Sequence, residues 1–179
     1  GAGKTTFVQE FQQVVQLQQK EVLIIHLDDH IVERNKRYAT GNEEWVEYYY
    51  HQWDVEQLVS VLFQPLLEGS DTLSLPFYDK KWDAIHFQTV NVSPRAIVLI
   101  EGIFLQRPEW RAFFDRVFYL DCPREIRRQR VLSRDDYIGD QQAILDKYER
   151  RYWIAEDYYL QQVKPLQAAD IIVPYGVED

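Results

Sequence analysis

The sequence predicts an α/β fold with a doubly wound, mostly parallel sheet, and three observations carry that expectation. Short apolar runs recur along the chain, helical segments lie between them, and a Gly-Lys-Thr turn stands at the head of the first helix. The runs Val22 to Leu27, Ala96 to Ile100, Val117 to Leu120 and Ile171 to Val173 are bounded by turn or charged residues, the pattern of strands buried on both faces. The helices expected between them are Thr5 to Lys20, Glu43 to Leu67, Arg124 to Ser133 and Gln141 to Val163. The first carries Phe7, Val8, Phe11, Val14 and Val15 on one stripe. Alternation of this kind argues for right-handed crossovers.

One stretch departs from the pattern. Thr72 to Tyr78 and Ala84 to Val90 read as two strands joined by Asp79-Lys80-Lys81-Trp82-Asp83, a β-hairpin inserted in the α/β frame over residues 72–90. With no repeats, low-complexity tracts or linkers, residues 1–179 are expected to form one domain. The chain starts at Gly1 and contains no methionine, so a first strand and the start of the phosphate loop are expected upstream.

Composition narrows the function. A net charge of −9 argues against a nucleic-acid partner, which calls for a basic face. It leaves nucleotides open, because a phosphate pocket needs only a few local cations and aligned amides. The single cysteine, Cys122, excludes an internal disulfide framework and suits a reducing cytoplasm. No apolar run approaches the ~20 residues of a membrane span, so no membrane partner is expected. Homo-oligomerisation stays open.

Gly1-Ala2-Gly3-Lys4-Thr5-Thr6 matches the end of the Walker A loop, G-x-x-x-x-G-K-[ST]. Triphosphate oxygens are held best by backbone N–H groups, which glycines aim inward without obstruction by Cβ, and the helix beginning near Thr5 adds its dipole. Lys4 is expected to bridge the β- and γ-phosphates, and the Thr5 hydroxyl to bind Mg²⁺.

Acidic residues at strand ends carry the next inference, since ligands of such sheets bind beyond the carboxyl ends of the strands. Glu101 follows Ile97 to Ile100, where its carboxylate can hold Mg²⁺, and Gly102 after it permits close approach to phosphate. The competing reading is an ordinary surface glutamate. Asp28 and Asp29 stand at the end of the Val22 to Leu27 run; a carboxylate here can accept the proton of an acceptor hydroxyl, and Asp28 is the candidate base. The plainer reading is that both cap the following turn. A metal cluster in His26-Leu27-Asp28-Asp29-His30 is disfavoured: on an extended strand His26, Asp28 and His30 share a face, and His26 is expected in the core.

The helix beyond Asp121-Cys122-Pro123 carries Arg124, Arg127, Arg128, Arg130 and Arg134, with 127, 130 and 134 on one face. Arginines clamp a transferring phosphoryl group well, and a lid can deliver them. Arg124 and Arg128 read more simply as a solvated face, whereas Arg134, beside Asp135-Asp136, supports either reading. Arg130 is expected at the nucleotide. Asp121 reads as the helix N-cap.

In order, these features resemble the uridine kinase/phosphoribulokinase family of P-loop kinases, from Gly1 to about Gly176. The elements are Gly3-Lys4-Thr5, Asp28-Asp29-His30, Leu75 to Asp79, Ile100-Glu101-Gly102-Ile103, the Arg127 to Asp135 helix and Ala169 to Pro174. The resemblance implies ATP and Mg²⁺, a base at Asp28, a magnesium role for Glu101, lid arginines near Arg134 and acceptor binding by Tyr78. The implied acceptor is a small hydroxylated metabolite such as a nucleoside. The chain also departs from the family: His30-Ile31 stands where nucleoside kinases commonly have an aromatic pair, and Asp83 where they often carry a histidine. The lid after Arg134 looks short. A riboside, a pantothenate-like alcohol and a sugar all stay open as acceptor.

Two further points complete the reading. Trp45, Tyr49 and Trp53 recur at i, i+4, i+8, as a helix packed on the core would show. A regulatory nucleotide-binding module or a plain NTPase is the alternative class, although the Asn-Lys-x-Asp guanine signature is missing: Asn35-Lys36 is followed by Arg37-Tyr38.

Overall fold

The computed structural model describes residues 1–176. Helix α1, Lys4–Leu17, leads into strand β1, Val22–His26, and a tight turn over Leu27–His30. Short helices α2, Arg34–Arg37, and α3, Glu44–Tyr50, follow. A longer helix, α4, runs over residues 55–67 with a wide turn at Val59–Phe63. Strands β2, Thr72–Asp79, and β3, Ala84–Asn91, pair antiparallel, Thr72 opposite Asn91 and Asp79 opposite Ala84. Then come β4, Ile97–Glu101, the short α5, Pro108–Arg111, β5, Phe118–Asp121, and α6, Arg124–Arg134. Helix α7 spans residues 141–163 with a wide turn at Tyr148–Tyr152, and α8, Pro165–Ala168, leads to β6, Ile171–Pro174.

The strands of the α/β frame are parallel, as their apolar runs imply, but among the described residues they form two separate pairs. β1 pairs with β4 from Val22 opposite Ile97 to His26 opposite Glu101, and β5 pairs with β6 from Phe118 opposite Ile171 to Asp121 opposite Pro174. The continuous doubly wound sheet is therefore not what these residues show. Helix α1 spans both pairs: it packs on β1 and β4, while its Phe7 and Phe11 rings meet Phe118 of β5.

The predicted helix Glu43 to Leu67 is interrupted at residues 51–54. Asp54 causes the restart: its carboxylate accepts from the Gln57 amide at 2.9 Å, an N-cap that begins α4 anew. Trp45, Tyr49 and Trp53 thus do not share one helix. Tyr49 and Trp53 are nonetheless buried, joining Leu27, Leu58, Leu62, Phe63, Leu75, Phe104 and Trp110 in the core. Trp53 donates its indole N–H to the Leu27 carbonyl at 2.9 Å, which ties the core to the turn carrying Asp28.

The other side of that turn is held by His30. It is buried, its ring lies edge-on to Phe77 at 4.7 Å, and its Nδ1 meets the Pro76 carbonyl at 2.8 Å, joining the turn to the β2–β3 ribbon. A buried imidazole resists charging, and desolvation pushes His30 below its ordinary value of 6.5 despite the pull of the Pro76 bond. Because the folded chain binds this proton less readily than the unfolded one, the contribution is intact above the ordinary value and lost as pH falls through the lowered one. Melting temperature should therefore drop on the acid side of pH ~6.5. His30→Asn, which keeps a donor for Pro76, should flatten that part of the profile; an unchanged acid slope would assign it to other groups.

Candidate active site

The loop before α1 is shaped by Gly3, whose φ of +87° is left-handed and suits glycine. It turns Lys4, Thr5 and Thr6 into the first turn of α1, leaving their amide N–H groups free of helical partners. The loop lies at the ends of both strand pairs. Thr5 Oγ1 donates to Oε1 of Glu101, the last residue of β4, at 3.1 Å. Gly1 to Thr6 also line a cavity of about 590 Å³ with Asp121 and Cys122 after β5, Pro174 and Tyr175 after β6, and Arg130 and Arg134 of α6. That volume is within the range of small-molecule sites.

Glu101 and Asp28 share one end of the β1–β4 pair. Glu101 is opposite His26 in the ladder, and His26 Nδ1 meets the same Oε1 at 2.8 Å. His26 is thus half-exposed rather than in the core. The chain leaves the strand after His26 and enters the Leu27–His30 turn, so His26, Asp28 and His30 do not line up on one strand face. Neither Asp28 nor Asp29 caps a helix with its side chain. Asp28 is open to solvent but surrounded by protein, and desolvation raises its carboxyl above the usual range. Lys4 and Arg134 pull it down, while Glu101 and Asp29 push it up. Lys4, Glu101 and Arg134 are therefore all near enough to act on Asp28.

The arginine face of α6 divides. Arg127 pairs with Glu156 and Arg124 with Glu156 and Asp157, binding α6 to α7. Arg130 and Arg134 instead reach the cavity; Arg130 Nη1 donates to the Gly1 carbonyl at 3.0 Å and its guanidinium stacks over Tyr175 at 5.1 Å. Arg134 is steered by buried Asp135, which accepts from its Nε at 2.6 Å and its Nη2 at 3.1 Å, and from Tyr148 Oη at 2.6 Å. Asp121 caps nothing: the residue ahead of α6 is Pro123, and Asp121 ends β5.

Tyr78 and Asp83 meet at the β2–β3 turn. Tyr78 donates its hydroxyl to Asp83 Oδ1 at 2.9 Å, and the same oxygen accepts the Arg34 amide at 2.9 Å. These bonds hold the Asp83 carboxyl below its usual range. Among the described residues no three His, Cys, Asp or Glu side chains gather as a metal cluster.

The sequence pattern of the Phosphoribulokinase / Uridine kinase family matches residues 1–179. The chain belongs to that family. A uridine kinase from Brevibacillus brevis is 26% identical over 180 residues, covering 98% of this chain and 81% of the relative. A uridine kinase from Shewanella baltica is 25% identical over 147 residues, 80% of this chain and 68% of the relative. A solved structure described as a possible uridine kinase from Bacillus stearothermophilus superposes with a TM-score of 0.80 at 47% identity, covering 96% of this chain and 82% of that one. This is a P-loop kinase, and no helix among the described residues is long and apolar enough to cross a membrane.

Two residues of the candidate site escaped the sequence reading: Tyr175 carries no motif signal, and His26 reads as core until the strand register sets it opposite Glu101. Gly102 has a steric explanation different from the one expected: a Cβ there would lie 2.7 Å from Leu27 Cβ. Its missing side chain lets the ends of β1 and β4 close on each other with Leu27 fully buried. Gly102→Ala should therefore cost about 1–3 kcal/mol, as overpacked sites do, read as a lower urea midpoint at unchanged slope. A variant as stable as the parent would show that Leu27 yields freely.

Proposed function

We propose that this kinase transfers the γ-phosphoryl group of ATP to a hydroxyl of a small metabolite, with Asp28 as the base. The observation that supports it most directly is the Thr5 hydroxyl bonded to Glu101 at 3.1 Å, which sets the phosphate loop against the strand end from which the Asp28 turn leaves. A cationic loop, two acids and an arginine at one end of a parallel strand pair form the set that in-line phosphoryl transfer requires.

The residues divide the work as follows. The Gly1-Ala2-Gly3-Lys4-Thr5-Thr6 loop cradles the triphosphate through its amides, and Lys4 adds charge at the β- and γ-phosphates. The cavity between the loop and Tyr175 takes the rest of the nucleotide, with Arg130 on its wall. Thr5 and Glu101 present hard oxygen donors 3.1 Å apart, a set that fits Mg²⁺ completed by phosphate oxygens and water. The ion, when bound, neutralises charge on the phosphate oxygens. The acceptor hydroxyl oxygen attacks the γ-phosphorus, the bond to the β–γ bridging oxygen breaks, ADP leaves, and Asp28 takes the proton. Arg134 stabilises charge on the equatorial oxygens. We assign Tyr78 to the acceptor, with Asp83 holding its hydroxyl.

The reading takes residues 1–179 as one kinase domain with residues 72–90 as a hairpin within it, working in the cytoplasm. Asp28→Asn in the full-length protein should leave ATP affinity nearly intact and cut transfer by ~10²-fold or more. Both are measurable, by equilibrium nucleotide binding and by acceptor-dependent ADP release. Transfer at the parental rate would remove Asp28 as the base.

A further inference from the structure

Arg134 is the last residue of α6, and the two sides of its guanidinium are used differently. The edge formed by Nε and Nη2 is taken by Asp135, at 2.6 and 3.1 Å. Nη1 makes no hydrogen bond among the described residues, and Arg134 lines the cavity in front of the Gly1 to Thr6 loop. The side chain is 59% exposed, so packing alone leaves it many rotamers. Asp135 is the next residue along the chain, and the pair by itself has no reference outside its own segment.

Tyr148 of α7 supplies that reference. Its hydroxyl donates to Asp135 Oδ2 at 2.6 Å and accepts from Arg134 Nη2 at 3.2 Å. With the Nη2 bond to the same Oδ2, this closes a triangle of hydrogen bonds and occupies both Nη2 protons. Among the described residues, these are the side-chain hydrogen bonds that tie Arg134 and Asp135 to another element. Tyr148 opens the wide turn of α7, and its ring is braced by Tyr152 at 4.7 Å and Trp153 at 5.6 Å. Burial, then the bond to Asp135, pushes its hydroxyl above the ordinary value of 10, so it stays a donor. Burial opposes charge on Asp135, yet its bonds to Arg134 and Tyr148 prevail and hold its carboxyl below the usual range.

The hydroxyl is not what joins the two helices. Arg124 and Arg127 already bind α6 to Glu156 and Asp157 of α7, and the ring contacts of Tyr148 do not use its oxygen. What the oxygen adds is direction for the arginine.

We infer that Tyr148 is a positioning residue for phosphoryl transfer: its hydroxyl, together with Asp135, fixes the Arg134 fork so that Nη1 is left for the transferring group. The inference rests on the kinase reading and on the part Arg134 plays in it. A donor fixed beforehand needs no reorganisation when charge spreads over the equatorial oxygens. Its misalignment therefore falls on the transfer step rather than on nucleotide binding.

The test is steady-state ADP release by the full-length protein with ATP and whichever of uridine, ribose, pantothenate and glycerate raises it most. Tyr148→Phe keeps the ring and removes only the oxygen; kcat should fall roughly tenfold or more while KM for ATP stays within about twofold. Tyr152→Phe alters the neighbouring ring of the same turn, whose hydroxyl makes no hydrogen bond among the described residues, and should keep the parental kcat. The decisive comparison adds Arg134→Gln. Once the guanidinium is gone, Tyr148→Phe should lower kcat by less than about twofold more, because the two residues act as one unit. A parental kcat in Tyr148→Phe, or the same loss with and without Arg134, overturns the inference and leaves the kinase reading standing. ADP release that no acceptor raises above background overturns both.

Discussion

The carboxylate of Glu101 is claimed from two directions, by the Thr5 hydroxyl at the head of α1 and by His26 at the end of β1. That shared contact fixes the distance between the phosphate loop and the strand ends, and other features of the site are set by it. It depends in turn on β1 and β4 ending in register, His26 opposite Glu101. Leu27 can then drop into the core only because residue 102 has no side chain to meet it. The turn that follows carries Asp28, and Trp53 and His30 hold it from opposite sides. A proposed base on a turn rather than within a strand needs such bracing, because backbone torsions outside the ladder are restrained only by what packs against them.

A second network holds the far wall. Arg151 donates to the Glu44 and Arg37 carbonyls at 3.1 and 3.0 Å and pairs with Glu47, which also accepts the Thr40 amide at 2.7 Å and hydroxyl at 3.0 Å. These hydrogen bonds hold the Glu47 carboxyl below its usual range although burial opposes them. One side chain of α7 thereby secures α3 and the backbone of α2. Losing one member of a buried pair costs about 3–5 kcal/mol, so the geometry of α2 is tied to the stability of the core.

Much of the frame was legible from the chain. Parallel strands announce themselves as unbroken apolar runs, and the α1 stripe and the Gly-Lys-Thr turn fall where the pattern puts them. The break at residues 51–54 was harder, because Asp54 is a weak signal within a strong apolar periodicity and only its bond to Gln57 shows that it caps. The division of the α6 arginines was legible only in part: Arg130 and Arg134 were expected at the site, but nothing foretold that Arg127 would meet an acid instead. Spacing places 127, 130 and 134 on one face, but whether each meets an acid or a cavity depends on α7, whose Glu156 is 29 residues from Arg127. His26 was misplaced for a related reason: an imidazole in an apolar run looks like core until its register partner is known to be a glutamate.

The wide turn at Tyr148–Tyr152 gives α7 its double allegiance. An extra residue in one turn offsets the two halves of a helix by about 100°. Tyr148, at the start of the turn, reaches Asp135 and the arginine beside the loop, and the half after it seats Ala155 and Tyr159 in the interior. A rod of even pitch would have to give up one of those alignments. The irregularity thus works as a gear change, letting a single helix answer to both the reactive end of the molecule and its load-bearing interior.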